Sequence, residues 1–178
     1  MKFTSISDKF FEQHGVCREL MSNENEKRPY LIIVKLKFNG KRQDFAIPFR
    51  SNLSNHIPKD QYFPLPPRHT TKKYKIHGLH YLKMFPVKKQ YLIKFNISND
   101  TYYVKIYSII SKKQAEIIEQ AQAYLDAYQS GNIQNYATDI NKIYLSLYGV
   151  TVAQEAATGL EKVQDEIAMQ RYKPDTDK

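Results

Sequence analysis

The sequence predicts an α+β fold in which the strands come first and the helices follow. Three observations carry this. Tyr30-Leu31-Ile32-Ile33-Val34-Lys35-Leu36-Lys37-Phe38 begins as a β-branched run and then alternates, as a strand does when one end is buried on both faces and the other is half solvated. Asn39-Gly40 follows and leads into Phe45-Ala46-Ile47-Pro48-Phe49, so the two runs form a hairpin; a type I′ turn needs positive φ at both central residues, which this dipeptide tolerates. After residue 110 the apolar spacing changes from two to three and four, the helical period. A chain of 178 residues suits one domain with a real core. The expected organisation is a single domain over 1–148, with a sheet core in 28–110 and a helical hairpin in 111–148, followed by a helical extension and tail over 149–178.

Taken in order, Ser7 is placed to cap a short helix carrying Phe10, Phe11 and His14 on one side, with Asp8 and Glu12 near its positive end and Gly15 at its close. Asn23 to Lys27 is a polar loop before Arg28 and Pro29 lead into the first strand. Pro48 lacks an N–H and belongs at a strand end, bulge or edge. Residues 51–81 hold few periodic apolar positions and four prolines, Pro58, Pro64, Pro66 and Pro67, and read as a long binding loop. Leu82 to Val87, Tyr91 to Ile97 and Tyr102 to Ile106 read as further short strands. Ser111 then caps a helix with Ile117, Ile118, Ala121, Tyr124, Leu125 and Tyr128 on one stripe. Gly131-Asn132 ends it, and a second helix from Gln134 to Leu147 carries Tyr136, Ile140, Ile143, Tyr144 and Leu147. These stripes are core.

No apolar run approaches the ~20 residues that span a bilayer, and Met1-Lys2-Phe3-Thr4 opens no signal-peptide apolar region, so a cytoplasmic protein is expected. The single cysteine, Cys17, excludes an intramolecular disulfide and reads as a small packing residue. The charge is unevenly spread. Residues 1–110 carry 20 Lys and Arg against 8 Asp and Glu, whereas 111–178 carry 7 against 10. Within 27–94 there are 16 basic residues against Asp44 and Asp60 alone, interleaved with tyrosine and phenylalanine. Basic side chains attract a phosphate backbone and exposed aromatics stack on unpaired bases, so this segment fits a single-stranded nucleic acid.

The hairpin exits through Arg50-Ser51-Asn52, a fixed cation, a hydroxyl and an amide where pairing stops. His69, His77 and His80 lie in or beside the basic loop and are candidate acids or bases, because imidazole titrates where proton transfer is useful. A structural hydrogen bond or an RNA contact competes with catalysis for each. His77-x-x-His80 has a metal-ligand spacing but no Cys or carboxylate partner nearby, so no metal is expected. Lys83 reads as a phosphate contact or as an edge charge that discourages aggregation. Arg68, Lys72, Lys73 and Lys75, with Tyr62, Phe63 and Tyr74, form a cluster suited to binding RNA.

The opening Met1 to Phe10, the Arg28-Pro29-Tyr30 entry to the apolar strand, Phe45-Ala46-Ile47-Pro48-Phe49-Arg50-Ser51 and Leu82-Lys83-Met84-Phe85-Pro86-Val87 together resemble the ToxN/AbiQ toxins of type III toxin–antitoxin systems, in a TenpN-like branch. The blocks span residues 1–148. The resemblance implies a compact, strongly twisted antiparallel sheet or barrel of MazF/Kid type with added helices. It also implies a metal-independent endoribonuclease without cofactor, whose partner is a small structured RNA made as tandem repeats, cut into units and held in a closed toxin–RNA assembly.

ToxN-like members carry a Thr-Ser pair followed by Pro and Lys. Here Arg50-Ser51-Asn52-Leu53 stands in that place, so the serine carries over and the preceding hydroxyl is replaced by a guanidinium. The basic residue before the first strand carries over to Arg28 and the later lysine to Lys83. Metal-free cleavage uses the substrate 2′-OH as nucleophile, which requires in-line alignment and stabilisation of charge on phosphorus. Arg28 and Arg50 suit the second task, Lys83 a phosphate contact, and Ser51 orientation or proton relay. Tyr30, Asn52, Arg68, Thr70, Lys72, Lys73, Tyr74 and Lys75 are the expected RNA-binding residues. A non-catalytic RNA-binding module remains the alternative.

Overall fold

The computed structural model describes residues 1–15, 19–20 and 30–149; for residues 30–34 it describes the backbone alone. Arg28, Cys17, the loop Asn23 to Lys27 and the extension after residue 149 lie outside the described residues, as does the Tyr30 side chain.

Strand β1 (Lys2–Ile6) is followed by helix α1 (Asp8–His14), and the long hairpin pairs β2 (Tyr30–Phe38) with β3 (Lys41–Leu53). Asn39 and Gly40 have φ of +49° and +75°, as the turn dipeptide predicts. β4 (Tyr62–Leu65), β5 (Ile76–His80), the two-residue β6 (Phe85–Pro86) and β7 (Leu92–Lys94) complete an antiparallel sheet ordered β4-β5-β3-β2-β1-β7, with β6 paired to β3. It curls into a half-barrel. Helices α2 (Thr101–Lys112), α3 (Gln114–Gln129) and α4 (140–149) follow. The expected α+β class with a twisted antiparallel core is the fold observed.

Several elements differ from expectation. The first strand of the sheet precedes the hairpin, because Phe3 is apolar and buried and β1 bridges β2 and β7. Two strands, β4 and β5, lie within the expected loop 51–81. Their composition hides them: Pro64 is tolerated because β4 is an edge strand, and β5 contains Gly78 and two histidines. Gly78 is required there, since a Cβ would sit 2.2 Å from the Phe63 carbonyl oxygen of β4. Tyr102 to Ile106 is helical rather than extended. Asp100 Oδ1 accepts from the N–H groups of Tyr102 (2.9 Å) and Tyr103 (3.2 Å), and this cap starts α2 inside the aromatic run. Ser111 therefore lies inside α2 and caps nothing. Leu82 and Lys83 form part of a 3₁₀ turn, Tyr81–Lys83, before β6. Ser7 precedes α1 as expected, but its side chain makes no cap bond.

The last helix starts later than Gln134. Lys142 N–H donates to Asp139 Oδ1 at 2.9 Å, so Asp139 satisfies the helix start. Tyr136, at φ +63°, stands in the preceding turn and outside the stripe. Ile140, Ile143, Tyr144 and Leu147 are buried as expected.

The sheet's two faces carry two cores. Phe45 and Ile47 pack with Phe3, Leu36, Phe38, Leu79 and the buried positions Ile117, Ala121, Leu125 and Tyr128 of α3. On the other face Ala46 packs with Ile6, Phe85, Val87, Ile143, Leu147 and Phe10 of α1, whose ring stacks on Phe85 at 5.2 Å. Pro48 marks a hand-over. β3 pairs with β2 through Pro48↔Tyr30 and with β5 from Phe49↔Leu79 onward, so a strand of 13 residues serves two neighbours in succession.

Candidate active site and RNA-binding surface

The site grows out of the second half of β3. Arg50 pairs with Gly78 and Leu53 with Ile76, which leaves Ser51 and Asn52 together opposite His77, a β-bulge. Asn52 takes φ +65°, a conformation that asparagine tolerates better than most residues. Its side chain organises the loop that follows β4: Lys72 N–H donates to Asn52 Oδ1 at 2.7 Å, and Asn52 Nδ2 reaches the Thr70 carbonyl at 3.5 Å.

The bulge turns Ser51 onto His77, and Ser51 Oγ shares a 2.9 Å hydrogen bond with His77 Nδ1. The imidazole is 4% exposed, and its Nε2 has no hydrogen-bond partner among the described residues. Burial lowers its pKa to about 4, with a further contribution from the Arg68 guanidinium. At neutral pH His77 is thus an uncharged ring whose Nδ1 can accept the hydrogen bond of the serine hydroxyl. Tyr102 closes one side, edge-on at 5.7 Å.

Arg68 is fixed rather than floating. Its Nη1 donates to Tyr103 Oη at 3.0 Å, its guanidinium lies 3.6 Å from the Asp100 carboxylate, and it stands 5.0 Å from the centre of the Tyr103 ring. Asp100, which caps α2, therefore also aims this arginine. His69, Thr70, Lys72, Lys73, Tyr74 and Lys75 are all exposed on the adjoining loop. Tyr74 is 77% exposed at φ +61°, with Lys73 Nζ 5.0 Å from its ring centre.

Strand alternation divides the remaining candidates. Phe49, Ser51 and His77 belong to the larger core's face, and Arg50, Gly78 and His80 to the other. The electrostatics agree. His80 is buried and its pKa falls to about 3, first from burial and then from Arg50 and Lys83, whereas the cation acting on His77 is Arg68. Both ring nitrogens of His80 lack a partner among the described residues. Lys83, buried at the end of its 3₁₀ turn, pairs with the Glu19 carboxylate and donates to the Tyr136 carbonyl. The hairpin exit thus has two corners, Ser51–His77–Arg68 on one face of the ladder and Arg50–His80–Lys83 on the other, with Asp100 paired to Arg68 and Glu19 to Lys83.

The sequence named both histidines and Ser51 but not their division. His77 and His80, three apart in a strand, face opposite ways and cannot share an ion. Among the described residues no group of three or more His, Cys, Asp or Glu is placed to hold a metal. Glu19, Tyr102, Asp100 and Tyr136 were not singled out as site residues. Asp100 alone carried a signal, as a turn residue directly before a run that proved helical.

No protein-family model and no curated protein matches the sequence. Solved structures do. A protein from a bacterial antiviral system regulated by a processed non-coding RNA superimposes with a TM-score of 0.62 at 16% identity, over 80% of this chain and 94% of that one. A protein of a bacterial type III toxin–antitoxin system, in which a non-coding RNA pseudoknot selectively inhibits the toxin, gives 0.55 at 19% identity over 84% and 97%. AbiQ, a lactococcal anti-phage endoribonuclease of the type III toxin–antitoxin class, gives 0.56 at 16% identity over 86% and 98%. The chain has the ToxN/AbiQ fold, as its sequence resemblance implied.

Proposed function

We propose that this protein is the toxin of a type III toxin–antitoxin system, an endoribonuclease that needs no metal and is inhibited by its own repeated RNA. The Ser51–His77 hydrogen bond at the bulge carries the reading. A half-buried hydroxyl on a buried imidazole beside a fixed guanidinium, at the rim of a basic surface, suits proton removal next to a phosphate. The three structural neighbours support the class, AbiQ as an endoribonuclease and the other two through their non-coding RNAs.

In this reading the substrate 2′-oxygen attacks the adjacent phosphorus while its proton passes through Ser51 to His77. The bond from phosphorus to the 5′ oxygen breaks, and the departing oxygen takes a proton from water. The products are a 2′,3′-cyclic phosphate and a 5′-OH end. Arg68 neutralises charge gathering on the scissile phosphate. Arg50 holds a neighbouring phosphate from the other face of the ladder, where Lys83, ion-paired with Glu19, braces the corner, and Arg28 supplies a further phosphate contact. Tyr30, Asn52, Thr70, Lys72, Lys73, Tyr74 and Lys75 complete the RNA-binding surface, and His69 and His80 serve binding or structure. The partners are the repeated RNA antitoxin and cellular or phage RNA in the cytoplasm, and the outcome is abortive infection. No described helix is long and apolar enough to cross a membrane.

The test is cleavage of end-labelled single-stranded RNA by purified protein in EDTA, with analysis of the product ends. Cyclic phosphate and 5′-OH ends support the reading. Tight RNA binding without cleavage would establish the RNA-binding module instead.

A further inference from the structure

The sheet ends on β7, and that edge is notched. β7 stops at Lys94, opposite Thr4, whereas β1 runs on to Phe3 and Lys2 with no strand beside it on that side among the described residues. After Lys94 the chain turns away, and Phe95 meets Tyr103 of α2 at 5.4 Å. The notch is a groove of about 570 Å³, a volume within the range of ligand sites. Its lining has two sides. By strand alternation Phe3 belongs to the larger core's face, and Lys2 and Lys94 to the other. Phe3, Phe95, Ile97 and Tyr107 form an apolar wall, in which the Tyr107 ring is 43% exposed and stands edge-on to Phe3 at 5.8 Å. Lys2 and Lys94 form the opposite rim. Both are exposed, neither has an ion pair among the described residues, and no described carboxylate lines the groove.

Two chains of contact join this groove to the Ser51 corner. Phe3 packs against Phe49 at 4.9 Å, and Phe49 lies two residues before Ser51 on the same face of β3. Phe3 and Phe95 also meet the Tyr103 ring, at 6.1 Å and 5.4 Å, and the same ring carries the Arg68 guanidinium at 5.0 Å. A single tyrosine therefore separates the apolar wall from the arginine beside His77, and a strand with a phosphate at Arg68 brings a flanking nucleotide to the groove.

We propose that the groove takes an unpaired nucleotide flanking the cleavage point, with its base against Tyr107 and its phosphate at the Lys2–Lys94 rim. This rests on the proposed RNA partner and deepens that reading by giving the substrate strand a second point of attachment. A nucleotide is the occupant because the groove offers an aromatic wall on one side and unpaired cations on the other. A flat apolar ring joined to an anion meets both at once.

The probe for the test is a short fluorescein-labelled single-stranded RNA of mixed sequence, 2′-O-methylated so that it cannot be cut. Tyr107→Ala should bind it about tenfold more weakly and melt no lower than wild type, since alanine suits an exposed helical position; Tyr107→Phe should bind as wild type does. Lys94→Gln should flatten the plot of log affinity against log salt by about 0.7, the share of one phosphate on a single strand, which a merely structural lysine would not do. Wild-type affinity in Tyr107→Ala, or a wild-type slope in Lys94→Gln, with the wild-type protein still binding and cutting RNA, would overturn the groove and leave the nuclease reading standing. Self-association lost in Tyr107→Ala at unchanged RNA affinity would make the groove a contact between copies and would also overturn the proposal. Failure of the wild-type protein to bind the probe at all would overturn both readings.

Discussion

Two β-bulges interrupt the central ladders, and they have different consequences. In the β2–β3 hairpin, Ile33 pairs with Phe45 and Leu36 with Gln43, so Val34 and Lys35 share Asp44 as their opposite number. In the β3–β5 pair, Ser51 and Asn52 share His77. At the first bulge a half-buried carboxylate faces solvated cations: burial raises the Asp44 pKa, and Lys89, Lys35 and Lys2 act in the opposite sense. At the second, a buried neutral ring meets one hydroxyl, keeps one nitrogen without a partner among the described residues, and has a guanidinium close by. A bulge re-aims side chains wherever it occurs. What makes the second one a site is the chemistry it holds, a buried neutral imidazole hydrogen-bonded to a hydroxyl at the edge of a basic surface.

That contrast can be broken in two places. The largest effect expected is on cleavage. Ser51→Ala should lower the rate at least about a hundredfold with an unchanged melting temperature, whereas Lys35→Ala at the other bulge should leave the rate within a factor of about two. Comparable losses in both would mean that the bulges shape the sheet and nothing more.

A smaller effect is expected on stability against pH. Both His77 and His80 have folded pKa values below the ordinary 6.5, about 4 and about 3. The unfolded chain therefore binds more protons than the folded one as pH falls from 6.5 toward those values, and stability is lost over that window. The loss per histidine is on the order of 2 kcal/mol, read from denaturant midpoints between pH 7 and pH 4. His80→Gln should flatten the curve, while substitution of the exposed His69 should not. A curve unchanged in His80→Gln would place the acid sensitivity elsewhere.

The scaffold was more legible in the sequence than the site, for physical reasons. Asn39-Gly40 announces its turn because few dipeptides accept two positive φ angles, and the α3 stripe announces itself because Ile117, Ala121, Tyr124, Leu125 and Tyr128 repeat at helical spacing. The 51–81 region announces no strands because its burial comes from neighbouring chain rather than from apolar composition. β5 lies between β3 and β4, so His77, Gly78 and His80 are buried by pairing that no local pattern encodes. Tyr102 to Ile106 is rich in β-forming residues and reads as a strand, and the Asp100 cap overrides that propensity. Ser51 and His77 were each visible as candidates. Their pairing was not, because it depends on a register shift 26 residues apart in the chain.

The most direct measurement of the central claim is a double-mutant cycle on the single-turnover cleavage rate of a labelled RNA, using Ser51→Ala, His77→Gln and the pair together. If the hydroxyl and the imidazole move one proton as a unit, the double variant should be about as slow as the slower single one. Multiplicative losses would show that the two residues act separately, and the account of this site would then be wrong.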